Sequence, residues 1–228
     1  FVKDLKTGII TRVSTAFDGT ESNGTSYDPH FSPDGTKLIF ASDASNLVAG
    51  DTNGVSDAFI TDLNTGVTTR VSTDVNGVQA DYSTYLPIFS PDGTKVLFYS
   101  AASNLVSVHT PASYDVFLKD LETGTVTRVS TDSNGVGGNA YSGDDAIFSP
   151  DGTKVAFYSE ATNLVSDDAN KSGDVFVKDL ITGTITRISV DDFGVEGKGI
   201  SYNPVFSPDG TKIMFVSHAD NLVANDTN

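Results

Sequence analysis

The chain contains no cysteine, so neither a disulfide framework nor a thiolate metal centre is open to it. Tryptophan is missing too, methionine occurs once, and 14 basic residues stand against 30 acidic ones. The formal charge of −16 opposes contact with a phosphate backbone, which argues against a nucleic-acid partner. No apolar run approaches the roughly 18 residues a membrane span needs. Helical periodicity is absent as well, apart from one possible turn at "ASNLV". What remains is 228 residues, 38% hydrophobic and 10% aromatic, enough for one large β domain covering residues 1–228. Avoidance of cysteine agrees with an exported protein, periplasmic or extracellular and bacterial. The first residue is Phe1 and both ends fall inside a repeat pattern, so an excerpt of a longer precursor is expected.

That pattern is a fourfold tandem array. "FSPDGTK" recurs at Phe31, Phe89, Phe148 and Phe206, and its serines (Ser32, Ser90, Ser149, Ser207) are 58, 59 and 58 residues apart. The same step carries "FVKDLKTG" and its variants from Phe1, Phe59, Phe117 and Phe176. "TRVS" or "TRIS" keeps it from Thr11, Thr69, Thr127 and Thr186, and "NLV" from Asn46, Asn104, Asn163 and Asn221. Each unit resolves into four short strands with period-2 alternation, as in "PIFS", "TKVLFYS", "DVFLKDL" and "VTRVS". S-P-D-G-T joins the first two and D-L-x-T-G the last two, both tight-turn chemistry. Turn geometry alone accounts for the SPDG residue types, so this motif is read as scaffolding.

Four-stranded units at this period are propeller blades. The expected fold is an all-β propeller of four-stranded antiparallel blades, strand one lining the channel and phenylalanines packing between neighbours. Residues 1–15 and 203–228 each carry half a blade. They would complete one another by strand exchange and close the ring at four blades; membership of a larger propeller is the alternative. "FSPDGTKLIF", "VFVKDL" and "TRVS" together resemble the PD40 repeat, the WD40-like repeat of TolB-like propellers, over nearly the whole chain. The resemblance implies a periplasmic or extracellular binding scaffold. Relatives mostly have six or seven blades, and some are propeller halves of enzymes, so no activity transfers with it.

In an antiparallel meander the two short turns share one end of the blade and the long loops share the other. Twelve of the 14 bases belong to strands and short turns, leaving only Lys171 and Lys198 in long loops. Nine of the 30 acids belong to strands and short turns, leaving 21 in long loops. The long-loop end therefore carries about −19 and the rest about +3, which together give −16. Such an end attracts cations and basic partners; the plainer reading is that it keeps the protein soluble.

Two constellations stand out. "DTNGVSD" (Asp51, Asn53, Asp57) and "DANKSGD" (Asp168, Asn170, Asp174), with "DTN" at Asp226–Asn228, gather hard oxygen ligands of the kind Ca²⁺ prefers. In unit two His109 and Pro111 break the pattern, leaving Asp115. The alternative is that Asp and Asn bond their own backbone in Asx turns. The second constellation is Tyr27, Tyr85 and Tyr202 just before the innermost strand, with Asp144 in their place in unit three and Asp28 and His30 nearby. Rings beside acids suit stacking on a sugar or gripping a cation, or simple packing on the next blade. No G-x-S-x-G elbow is present, and the three histidines show no ligand spacing. The expected function is a non-catalytic binding scaffold acting through its acidic loop end, calcium-stabilised, with a protein or cell-surface glycan as partner. The alternatives are the propeller portion of a hydrolase or polysaccharide lyase, with Asp28, His30, Asp144 and Tyr202 at its mouth, and a structural array in a large surface protein.

Overall fold

Every S-P-D-G turn folds the same way, and the residues themselves show why. In the computed structural model, which describes residues 1–16, 18–107, 113–224 and 226, the Ser149 hydroxyl donates to Asp151 at 2.6 Å and accepts from the Lys154 amide at 2.9 Å. Asp151 in turn accepts from the amide and hydroxyl of Thr153. Gly152 supplies the left-handed φ of 71° that the turn demands. Asp34, Asp92 and Asp209 repeat these contacts. All four carboxyls are pulled down to about 2, first by the serine hydroxyl and then by the threonine amide. A depressed carboxylate stabilises the fold above its unfolded pKa and loses that contribution as pH falls through its folded one. The contribution of these turns to melting temperature, read as the difference between the wild type and Ser149→Ala, should therefore hold above about pH 5 and shrink between about pH 4 and 2. A difference that stays constant down to pH 2 would count against this account.

These turns tie sixteen described strands into a meander. Blade one is β3 (Ser26–Phe31), β4 (Lys37–Ser42), β5 (Asp57–Asp62) and β6 (Thr68–Arg70). Blade two is β7 (Thr84–Phe89), β8 (Lys95–Ser100), β9 (Asp115–Asp120) and β10 (Val126–Arg128). Blade three is β11 (Ser142–Phe148), β12 (Lys154–Ser159), β13 (Asp174–Asp179) and β14 (Ile185–Arg187). Each is a four-stranded antiparallel sheet in chain order. The remaining strands, β1 (Val2–Lys3) with β2 (Ile10–Thr11) and β15 (Ser201–Phe206) with β16 (Ile213–Ser217), form two separate two-stranded sheets.

The apolar core lies between blades. Ile39 and Ala58 of blade one pack with Val96, Phe98 and Phe117 of blade two. Leu97 and Val116 of blade two pack with Val155, Phe157 and Phe176 of blade three. Phenylalanines on neighbouring strands meet ring to ring, Phe40–Phe59, Phe98–Phe117 and Phe157–Phe176, at 5.9 to 6.1 Å. A buried lysine bolts successive blades together: Lys178 donates to Thr131 and to the Asp132 carbonyl, and Lys119 does the same to Thr73 and Asp74.

Both short turns do share one end, since Leu180 donates to the Thr153 carbonyl and Leu63 to that of Thr36. At the other end the "NLV" asparagines clamp the long loops. Asn163 accepts from the Asn139 amide and donates to the Gly137 carbonyl, a pattern shared by Asn46, Asn104 and Asn221.

Candidate functional site

The inner strands are where the chain departs from regular pairing. Each has a bulge: register shifts between Tyr27 and His30, Tyr85 and Ile88, Gly143 and Ile147, and Tyr202 and Val205. Asp28, Leu86 and Asn203 sit there at φ of 51°, 44° and 52°, a region L-residues seldom adopt. A bulge adds a residue and re-aims its neighbours. Blade three has one residue more than the others, and this corrects the sequence alignment. Gly143, not Asp144, stands opposite Tyr158 as Tyr85 stands opposite Tyr99. The extra residue lies within the bulge that holds Asp144, and it is Asp145 whose side chain reaches two cavities.

The first cavity, about 600 Å³, is lined by all four inner strands, with His30, Leu86, Asp145 and Asn203 among its residues. The second, about 610 Å³, opens between blade three and β15 and is walled by Tyr141, Tyr158, Tyr202, Asp145 and Glu160. Asp145 accepts from the Asn203 amide across this gap and from the Tyr158 amide within its own blade. Tyr158 donates to Glu160 at 3.1 Å.

Tyr202, whose ring meets His218 at 5.9 Å, faces the end of a larger aromatic belt across this second cavity. Tyr27 stacks on Tyr85 at 6.2 Å; Tyr85 meets Tyr99 and Tyr114; Tyr114 meets Tyr82 and Tyr141; Tyr141 meets Tyr158. Seven of the eight tyrosines thus form one connected set at ring separations that favour aromatic pairs. The Tyr27 hydroxyl bonds to Ser56 and Asp43, and its pKa is pushed up to about 12, chiefly by burial and then by Asp43. Sequence reading found Tyr27, Tyr85 and Tyr202. Tyr82, Tyr99, Tyr114, Tyr141 and Tyr158 escaped it because they come from other strands and loops.

The Asp-rich loops hold an occupant that the spacing did not reveal. In each complete blade the arginine of "TRVS" or "TRIS" enters the carboxylate cluster. Arg70 lies 3.3 Å from Asp51 and 3.5 Å from Asp57. Arg128 lies 2.6 Å from Asp115. Arg187 lies 2.8 Å from Glu196, 3.4 Å from Asp167, 3.6 Å from Asp174 and 3.8 Å from Asp168. The asparagines present nitrogen rather than oxygen to the cluster: Asn53 donates to Asp57 and Asn170 to Asp174, while their oxygens accept from backbone amides in Asx turns. Burial raises the carboxyls of Asp57 and Asp174. Asp168 rises to about 6, by burial first and then by Asp174 beside it. His109, Pro111 and Asn228 lie outside the described residues, and Asp226 joins no described carboxylate cluster.

Arg12 pairs with Glu21 in the same way, and assigning Arg12, Arg70, Arg128 and Arg187 to the long-loop end changes its charge from about −19 to −15, and the remainder from +3 to −1. The polarity of the molecule survives, but part of the acidic surplus is neutralised internally.

No protein-family model matches this chain, and no curated protein is similar to it. Solved structures are. TolB from Acinetobacter baumannii superposes with a TM-score of 0.52 at 23% identity, covering 92% of this chain and 41% of that one. A putative TolB from Agrobacterium tumefaciens gives 0.54 at 19%, covering 85% and 55%. The fold is that of a β-propeller. An oligogalacturonate lyase from Vibrio parahaemolyticus gives 0.53 at 17%, covering 97% and 53%. The chain spans between 41% and 55% of the length of these propeller proteins. Among the described residues no helix is long and apolar enough to cross a membrane.

Proposed function

We propose that this propeller is an exported, non-catalytic binding module that takes a cell-surface glycan on its tyrosine belt at the cavity of Tyr141, Tyr158 and Tyr202. The observation that carries this reading is the gathering of the tyrosines into one belt that ends at a cavity rimmed by Asp145, Glu160 and Asn203. Flat rings hold the apolar faces of sugars, and carboxylates and amides beside them accept and donate to hydroxyls. The second cavity's lining includes two carboxylates and no basic side chain, which favours neutral or amino sugars over uronates. A basic protein segment suits the same surface and is the competing outcome of the test. Glycan-array screening followed by calorimetry should find a sugar ligand whose affinity falls at least about tenfold in Tyr202→Ala and in Tyr141→Ala. Binding that survives both substitutions would overturn the assignment.

We further propose that the ring closes by strand exchange. In the complete blades β8 meets β9 with Lys95 opposite Asp120 and Phe98 opposite Phe117. Applied to the ends, that register sets Lys212 opposite Asp4 and Phe215 opposite Phe1, so charge and ring pairing both recur. Phe1→Ala tests it, because the ring contributes to stability only where Phe215 covers it.

A further inference from the structure

We propose that Asp168, Asp174 and Glu196 in blade three form a binding site for one hard divalent cation, Ca²⁺ by its oxygen chemistry, which displaces the Nη1 end of the Arg187 guanidinium. One carboxylate oxygen from each residue already lies within 4.8 Å of the others. The independent sign of a missing ligand is Asp168. Its side chain is only 2% exposed, yet Oδ1 has no hydrogen-bond partner, and the nearest cationic atom stands 3.8 Å away. A buried carboxylate oxygen left in this state is costly and is normally satisfied by a partner or a metal.

Comparison among the blades shows why the site is confined to one of them. Around Arg187 stand four carboxylates, Asp167, Asp168, Asp174 and Glu196. Around Arg70 stand two, Asp51 and Asp57, with the uncharged Gln79 where blade three has Glu196. Blade two has Gly137 at that position, and a Cβ there would collide with Arg128. One guanidinium leaves the Arg70 cluster one negative charge in excess, balances Asp115 in blade two, and leaves the third cluster three in excess. Ca²⁺ takes six to eight oxygens, and the three carboxylates can supply up to six. The Asp167 carbonyl, now accepting from Arg187, is a further hard oxygen at the same place. Asp168 comes from the loop before β13 and Glu196 from the loop after β14, so the ion would tie the two long loops of the blade together. Partial exposure of Glu196, at 18%, leaves a way in from solvent.

The test uses the whole chain, stripped with chelator and titrated with Ca²⁺ by calorimetry, with melting temperature as a second readout. One ion per chain and a rise in melting temperature are expected. Glu196→Gln, which gives blade three the side chain of blade one, should weaken uptake by about tenfold or more, the scale on which charged ligands set Ca²⁺ affinity. Asp168→Asn should do the same, whereas Asp51→Asn in blade one should leave uptake unchanged. Gln79→Glu should add affinity at blade one. No uptake at millimolar Ca²⁺ would show that Arg187 is the resident cation and overturn the site. So would uptake indifferent to Glu196→Gln and Asp168→Asn. Neither result bears on sugar binding at the tyrosine belt, which these substitutions leave intact.

Discussion

Arg128→Met should cost the fold about 3–5 kcal/mol, read as a shift of the urea unfolding midpoint at neutral pH. Arg128 is the best-matched of the three inward arginines. Its guanidinium meets Asp115 at 2.6 Å and donates to the Gly138 carbonyl at 2.9 Å, and both side chains are almost fully buried. Removing it takes the Arg128 charge away from a buried carboxylate that keeps hydrogen bonds such as that of Ser130 at 2.7 Å. The cost is mainly that of the stranded charge rather than the net worth of the pair. The double variant Arg128→Met with Asp115→Asn should therefore recover most of the loss, a large and favourable coupling in a double-mutant cycle. If Arg128→Met alone cost less than about 1 kcal/mol, the arginine would be dispensable and the account of all three clusters would fail.

The contrast between what sequence reading found and what it missed follows the range of the interactions. The SPDG and DLxTG turns were legible because their bonds run between residues two to five apart, so the repeat states its own geometry. The strands followed, since period-2 alternation needs no partner to be recognised. The arginine clusters were not legible. Asp57 and Arg70, Asp115 and Arg128, and Asp174 and Arg187 stand on strands three and four, thirteen residues apart. They meet only once those strands pair, as Phe59 opposite Arg70 shows. The recurrence of that thirteen-residue step in every complete unit was the available signal. The placement of Asp144 failed for a different reason. Counting back from Ser149 assumes regular strands, and the longer bulge of blade three shifts the register by one. Glu196 was missed as a partner of Asp168 because it lies 28 residues away, across a whole hairpin.

Phe176→Ala should cost about 3–5 kcal/mol, the range for truncating a fully buried phenylalanine whose neighbours cannot collapse into the space. Phe176 has no exposed surface, meets Phe157 at 6.1 Å and belongs to the core shared by blades two and three. Its neighbours are strand residues held by ladder bonds, which limits relaxation. Phe1 is its counterpart at the start of the chain and is 80% exposed, beneath the Arg12 guanidinium at 5.3 Å. Met214, which corresponds to Ile39 and Leu97 in the covered blades, is 67% exposed on β16. These apolar surfaces are what strand exchange would bury. Closure predicts that Phe1→Ala also destabilises by more than about 1 kcal/mol, because Phe215 would then cover the ring as Phe157 covers Phe176. Open ends predict a change within about 0.5 kcal/mol, the usual effect of a surface substitution. A silent Phe1→Ala beside a damaging Phe176→Ala would overturn closure within one chain.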